Sequence, residues 1–304
     1  MDVDGLDVLL RHHGHSVRGE SDTIILSALP RFAALFEKWG IKGTFFVVGS
    51  YLLDPEKVEL IRSLAEAGHE IGNHTMNHPF SLSALEAGQQ EREIIQAEQV
   101  FAERLGIRPV GFRAPNFDVD ERVLGTLKKR GYIYDSSVLP MPYGPLLRWC
   151  KQRISKTMGV KTRYLGKAVY GLAPLAPYRT SGNAVWRRGS DGLTEVPITT
   201  MPFFRLPFHA SFSMALKAWG GGDLLFKIGY ACASYWRVPL NYVFHACELA
   251  EVPLDDRLKK HWGLYLPVEE RLTAIDAMLA DITRNYEVRP TCQFVCRAEG
   301  GRSG

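Results

Sequence analysis

Between Gly43 and Pro140 the chain alternates a short apolar run, a polar turn and an amphipathic helix, and that rhythm restricts it to parallel strands joined by helical crossovers. Gly43 to Gly49 is a continuous apolar run, the pattern of a strand buried on both faces. Asp54 and Pro55 then predict a cap and first turn, with Val58, Leu60, Ile61, Leu64 and Ala65 inward and Gly68 as the stop. His69 to Gly72 reads as the next strand. Ser83-x-x-Glu86 predicts a capping box for a helix carrying Ile94, Ile95, Val100, Phe101 and Leu105, which closes at Gly106. Pro109 to Phe112 is a third strand, and Asp118-x-x-Glu121 caps a helix ending at Gly131. Tyr132 to Tyr134 leads into Asp135-Ser136-Ser137. Upstream, Pro30 predicts a helix start with Phe32, Leu35, Phe36 and Trp39 on one face and Gly40 as its end. In such folds the chemistry sits at the carboxyl ends of the strands, and polar clusters fall there each time.

The flanks are less regular. Met1-Asp2-Val3-Asp4-Gly5 looks like the end of a strand whose body is missing, so the chain reads as starting several residues late. Leu6 to Asp22 has no clean period and predicts a loop. Its His12, His13 and His15 are read as surface polarity before a metal tract. From 141 to 236 the rhythm breaks into a basic, aromatic stretch, read as an insertion on the rim because the earlier pattern then resumes. Leu240 to Phe244 predicts a strand ending in His245, Val268 to Thr283 a helix, and Cys292 to Val295 the last strand. A single domain over 1–299 with a short tail at 300–304 accounts for the 304 residues, of which 46% are hydrophobic.

Charge is unevenly spread. Residues 136 to 190 hold ten Lys/Arg and no Asp/Glu, and removing those ten from the net +4 leaves the remainder at −6. A basic block beside aromatics has two readings, most commonly a solvated basic face with the aromatics packed beneath it, otherwise a surface for an anionic membrane or a polyprenyl phosphate, and no module accompanies it that would predict nucleic acid. Five cysteines without C-x2-C spacing argue against a disulfide framework or a cysteine zinc site. With neither a signal-peptide pattern nor a long apolar span, the expected location is cytoplasmic, peripheral on the inner face of the membrane.

The strand ends bring Asp2, Asp4, His74, His78, Arg113, Asp135 and His245 into question together. His74 and His78 are four apart in a loop bounded by glycines and Pro79, so both imidazoles can reach one divalent ion. Asp4 with His74 and His78 makes a carboxylate and two neutral imidazoles, a facial set that leaves positions open for water and substrate. Asp2, on the same strand end, is close enough to deprotonate that water, and His245 can protonate a leaving nitrogen. The logic is metal-assisted hydrolysis of an amide or ester. Asp135 has two readings, a brace for His245 or a turn cap.

These residues, in the order Asp2-Val3-Asp4-Gly5, His74-Thr75-Met76-Asn77-His78, Arg113-Ala114-Pro115 and Phe244-His245, resemble the polysaccharide deacetylase (NodB-homology, carbohydrate esterase) family. The resemblance implies a deformed (β/α)7 barrel with a rim insertion and a divalent metal, zinc before other transition metals. It also implies Asp2 as general base, Arg113 orienting it, His245 as acid, and Asp4, His74 and His78 as ligands. A backbone amide at Asn116 or Phe117 would stabilise the oxyanion, with Asp135 near the substrate. The implied substrate is an N-acylated amino sugar. The valine between the two aspartates departs from the adjacent pair usual in the family. The Val243 to Leu249 and Thr194 to Thr200 contexts resemble the branch that deformylates aminoarabinose on a polyprenyl phosphate. An allantoinase-like small-amide hydrolase, or a non-catalytic carbohydrate- or lipid-binding relative, are the alternatives.

Overall fold

A computed structural model describes residues 1–16, 22–143, 168–182, 184–217, 221–251, 258, 264 and 266–300. In chain order the elements are β1 (Asp2–Val3), α1 (Leu6–His12), α2 (Thr23–Lys38), β2 (Thr44–Val47), α3 (Pro55–Glu66), β3 (Glu70–Asn73), α4 (Ala87–Leu105), β4 (Gly111–Phe112), α5 (Glu121–Arg130) and β5 (Tyr134–Asp135). They continue with β6 (Tyr178–Ser181), β7 (Ala184–Arg188), β8 (Thr194–Glu195), α6 (Ala210–Lys217), α7 (Gly222–Tyr235), α8 (Val268–Asn285) and α9 (Thr291–Gly300).

Strands β1 to β5 and then β8 lie side by side and parallel, and β6–β7 extends the sheet as an antiparallel hairpin against β8. The ring is completed by the segment leading to His245. Asp2 N–H donates to Phe244 O at 2.8 Å, and Thr199 N–H, just beyond β8, donates to Asn241 O at 3.3 Å. Six parallel strands and this irregular seventh stave form the deformed barrel that the family resemblance implies; the strand–helix rhythm predicts the parallel sheet. On β2, Phe45 and Val47 pack outward with Ile24, Phe32, Ile61 and Phe101 from the helices, whereas Phe46 packs with Tyr134 and Val196 in a separate cluster; all three β2 residues are at most 1% exposed.

Several local expectations are corrected. Leu6 to His12 is a helix, because Leu6, Val8, Leu9 and Leu10 are buried against the barrel although their spacing is too short for a clear period. Pro30 lies inside α2, whose start is set instead by the Asp22 cap on Ile25 N. The capping box stands at Glu86 and Gln89, three residues after the position Ser83 would have set. Ser83 is drawn away by Asp118, which accepts from Ser81 Oγ, Ser83 N and Ser83 Oγ at 2.7–3.0 Å. With Asp118 spent there, Asp120 caps α5 through Arg122 N and Val123 N. Cys292 to Val295 falls in helix α9, not in a last strand. Leu240 to Phe244 carries no strand ladder of its own beyond the bridge between His245 and Asp2.

Candidate active site

Asp4, His74, His78 and Arg113 follow the C-terminal ends of β1, β3 and β4, Asp2 lies in β1, and His245 bridges to Asp2 from the irregular seventh stave. Asp4 sits on the turn out of β1, where Gly5 N–H donates to Tyr51 Oη at 2.9 Å and Leu6 N–H to Asp22 Oδ1 at 3.0 Å. The loop after β3 is wound tightly: Asn73 Oδ1 accepts from Thr75 N at 2.8 Å and Thr75 Oγ1 from His78 N at 3.1 Å. Thr75 and His78 adopt φ of 67° and 49°, left-handed values that non-glycine residues take only when their surroundings enforce them. Asn73 is itself fixed by donating to Ile94 O and Tyr132 Oη.

This winding turns both imidazoles onto Asp4. Oδ1 of Asp4 lies 3.6 Å from His74 Nε2 and 3.4 Å from His78 Nε2. His74 Nδ1 is 2.6 Å from the Arg113 carbonyl, which can only accept, so the proton is on Nδ1 and the Nε2 lone pair faces Asp4. Burial outweighs Asp4 and lowers His78 to about 4, keeping it neutral and able to ligate at neutral pH. Asp4 Oδ1 is buried yet has no hydrogen-bond partner among the described residues. A buried carboxylate oxygen between two imidazole lone pairs is costly on its own and is satisfied by a cation. The three side chains therefore fit a divalent ion.

Beside them, Arg113 Nη1 donates to Asp2 Oδ1 at 2.6 Å. Arg113 is 1% exposed, with Nε and Nη2 donating to Ser136 O and Oγ at 2.9 Å and its guanidinium 4.2 Å over the Phe46 ring. Burial would raise the Asp2 carboxyl, but Arg113, His74 and His245 outweigh it and hold it below its ordinary value. The other Asp2 oxygen faces His245 Nε2 at 3.7 Å. His245 Nδ1 donates to Ser211 Oγ at 2.8 Å, and that hydroxyl donates in turn to Glu248 Oε1. Burial pulls His245 down, but Glu248, Asp2 and Asp4 push it up to about 9, so it carries a proton at neutral pH.

Two expectations need correction. Of the two readings of Asp135, the turn cap and not the brace for His245 describes its contacts: it is fully buried and accepts from Ser137 Oγ, two residues on, at 2.5 Å, and Ser137 Oγ accepts in turn from Ala114 N–H. Burial raises its carboxyl to about 6 opposite Glu195, its register neighbour on β8. Phe117 N–H is engaged by Ala114 O, which leaves Asn116, at φ 55°, as the remaining candidate donor to an oxyanion. Sequence reading missed Glu248, Ser211, Asn241 and Asn73. Glu248 stands three residues after His245 and carried a readable spacing. Ser211 and Asn241, which donates to Ser136 Oγ and accepts from Arg113, arrive from distant segments with no local signal. His12 stacks on Phe80 at 5.0 Å, its ring centre 6.4 Å from that of His78, and the one cluster among the described residues whose side chains could hold a metal ion is Asp4, His74 and His78. Of the ten basic residues between 136 and 190, the seven from Arg148 to Lys167 lie outside the described residues.

The fold thus sets an Asp–His–His cluster and an Arg-supported aspartate together at one end of a parallel α/β barrel. Residues 22–134 match the polysaccharide deacetylase family model. It is 27% identical over 117 residues to a peptidoglycan deacetylase of Helicobacter pylori, covering 38% of this chain and 39% of that protein. It is 30% identical over 103 residues to a peptidoglycan-N-acetylglucosamine deacetylase of Bacillus cereus, covering 34% and 46%. The chain thus spans less than half the length of these curated relatives. A solved structure from Mycobacterium smegmatis, described as a candidate polysaccharide deacetylase, superposes with a TM-score of 0.56 at 19% identity, covering 92% of this chain and 79% of that one, which bears on the fold. No helix among the described residues is long and apolar enough to cross a membrane.

Proposed function

We propose that this chain is a divalent-metal-dependent deacetylase acting on N-acetylated amino sugars of a glycan. The observation that carries the reading is the partnerless Asp4 Oδ1 between His74 Nε2 and His78 Nε2, with Asp2 and His245 on either side. A divalent ion bound by Asp4, His74 and His78 would polarise the acyl carbonyl and acidify a water. Asp2, kept ionised by Arg113, takes the proton of the attacking water as general base. Asn116 N–H is suited to the oxyanion that develops on the acyl oxygen. His245, protonated at neutral pH, gives its Nε2 proton to the departing amine while Ser211 and Glu248 hold the ring. The names of the relatives, peptidoglycan and N-acetylglucosamine deacetylases, support acetyl over formyl and a glycan over a small amide. The lipid-linked reading rests on the basic stretch and the sequence context of His245 and Thr194.

Acetate release from N-acetylglucosamine oligomers and from peptidoglycan fragments, with bound metal measured in parallel, tests the proposal. Asp4→Ala and His74→Ala should each abolish metal binding and turnover together. Full activity in either variant would sink it.

A further inference from the structure

Asp135 of β5 and Glu195 of β8 are register neighbours on adjacent parallel strands, both at 0% exposure, and the proposed chemistry uses neither. One oxygen of each is engaged on the same turn: Asp135 Oδ1 accepts from Ser137 Oγ at 2.5 Å, and Glu195 Oε1 accepts from Val138 N–H at 2.9 Å. The other two oxygens, Asp135 Oδ2 and Glu195 Oε2, are buried without a donor among the described residues. The two carboxyls are within hydrogen-bond reach of each other, and Arg113, the cation that acts on both, is already paired with Asp2. Two buried carboxylates so placed repel without a counter-charge of their own, whereas one proton between them makes one carboxyl a donor and the other its acceptor. Burial together with Asp135 raises Glu195 well above the usual carboxylate range, which puts that proton on Glu195. Besides Arg113 from β4, Tyr178 from β6 and Tyr170 from the turn Ala168–Leu172 face the pair. Both phenols donate elsewhere, to Val185 O and Val119 O, and burial raises both, so neither brings a charge.

The turn that the two carboxyls grip is also the seat of the site. Ser136 O and Oγ accept from Arg113 Nε and Nη2, and Ser137 Oγ accepts from Ala114 N–H, at the head of the segment that presents Asn116. We propose that Asp135 and Glu195 hold one proton between them and act as a positioning pair, fixing the 136–138 turn so that Arg113 stays on Asp2 and residues 114–116 stay at the cleft. The catalytic part of this inference rests on the deacetylase reading, and the shared proton does not. Loss of the proton sets two charges against each other between β5 and β8, and the displacement falls on the turn that both carboxyls hold.

The folded chain keeps a proton that an unfolded glutamate releases near pH 4.5, so the pair stabilises most in acid and its contribution falls as pH rises, until the shared proton leaves. Glu195→Gln keeps a donor to Asp135 and has no proton to lose. In urea unfolding, the unfolding constant of wild type relative to that of Glu195→Gln should therefore rise about tenfold from about pH 6 to pH 7. Parallel pH dependence in the two chains overturns the shared proton. Ser137→Ala cuts the tie from the pair to Ala114 and should lower kcat for acetate release about 10- to 100-fold with a smaller change in KM, and Ser137→Thr should restore it. Wild-type kcat in Ser137→Ala overturns the positioning role. The tenfold unfolding shift in a chain that releases no acetate supports the pair and refutes the deacetylase reading alone.

Discussion

Arg113 Nη1 donates to Asp2 Oδ1 at 2.6 Å across 111 residues of sequence, and both side chains are almost entirely buried. The pair couples the first strand of the barrel to the fourth and sets the charge of the residue assigned as base. Arg113→Met leaves the Asp2 carboxylate buried and unpaired. It should cost about 3–5 kcal/mol in urea unfolding and remove turnover. Asp2→Asn in the same chain should recover much of that stability without activity. A strictly additive double mutant would contradict the pairing.

Asp4 Oδ1 has the opposite balance, because its charge is unsatisfied without a cation. Metal-free Asp4→Asn should therefore unfold no lower than metal-free wild type. Zinc should raise the melting temperature of wild type only, since it stabilises by binding the native state. Calorimetry of both proteins with and without chelator checks this, and a zinc-dependent rise in Asp4→Asn would remove Asp4 from the ligand set.

His245 is raised to about 9 by Glu248, Asp2 and Asp4 against the pull of burial. As general acid it must be protonated, so kcat should be level at neutral pH and fall tenfold per unit above about pH 9. Glu248→Gln removes one of the groups that raise it, and the alkaline limb should move to lower pH, with a smaller change in KM. An unmoved limb would show that Glu248 only fills space.

Gly72 gives way to the ring on which Arg113 rests. A Cβ there would lie 2.7 Å from the Phe46 ring and 3.3 Å from Gly111 O. Gly72→Ala should cost about 1–3 kcal/mol through overpacking and lower kcat, because Phe46 can no longer lie under the guanidinium. Wild-type stability in this variant would mean that the strands separate freely at this point.

The sequence by itself determined the parallel strand–helix alternation and the loop that carries His74 and His78. Apolar runs, turn glycines and helix periods are local properties, and they place each motif at a strand terminus whatever the rest of the chain does. Tertiary structure decided which partner each polar group takes. Asp118 is claimed by Ser81 and Ser83 and so cannot cap α5, Asp135 is buried behind Ala114 and so cannot reach His245, and Ser211 and Glu248 take that place. A carboxylate inside a fold bonds to whichever donors packing brings within about 3 Å, and that choice is made by contacts far apart in sequence.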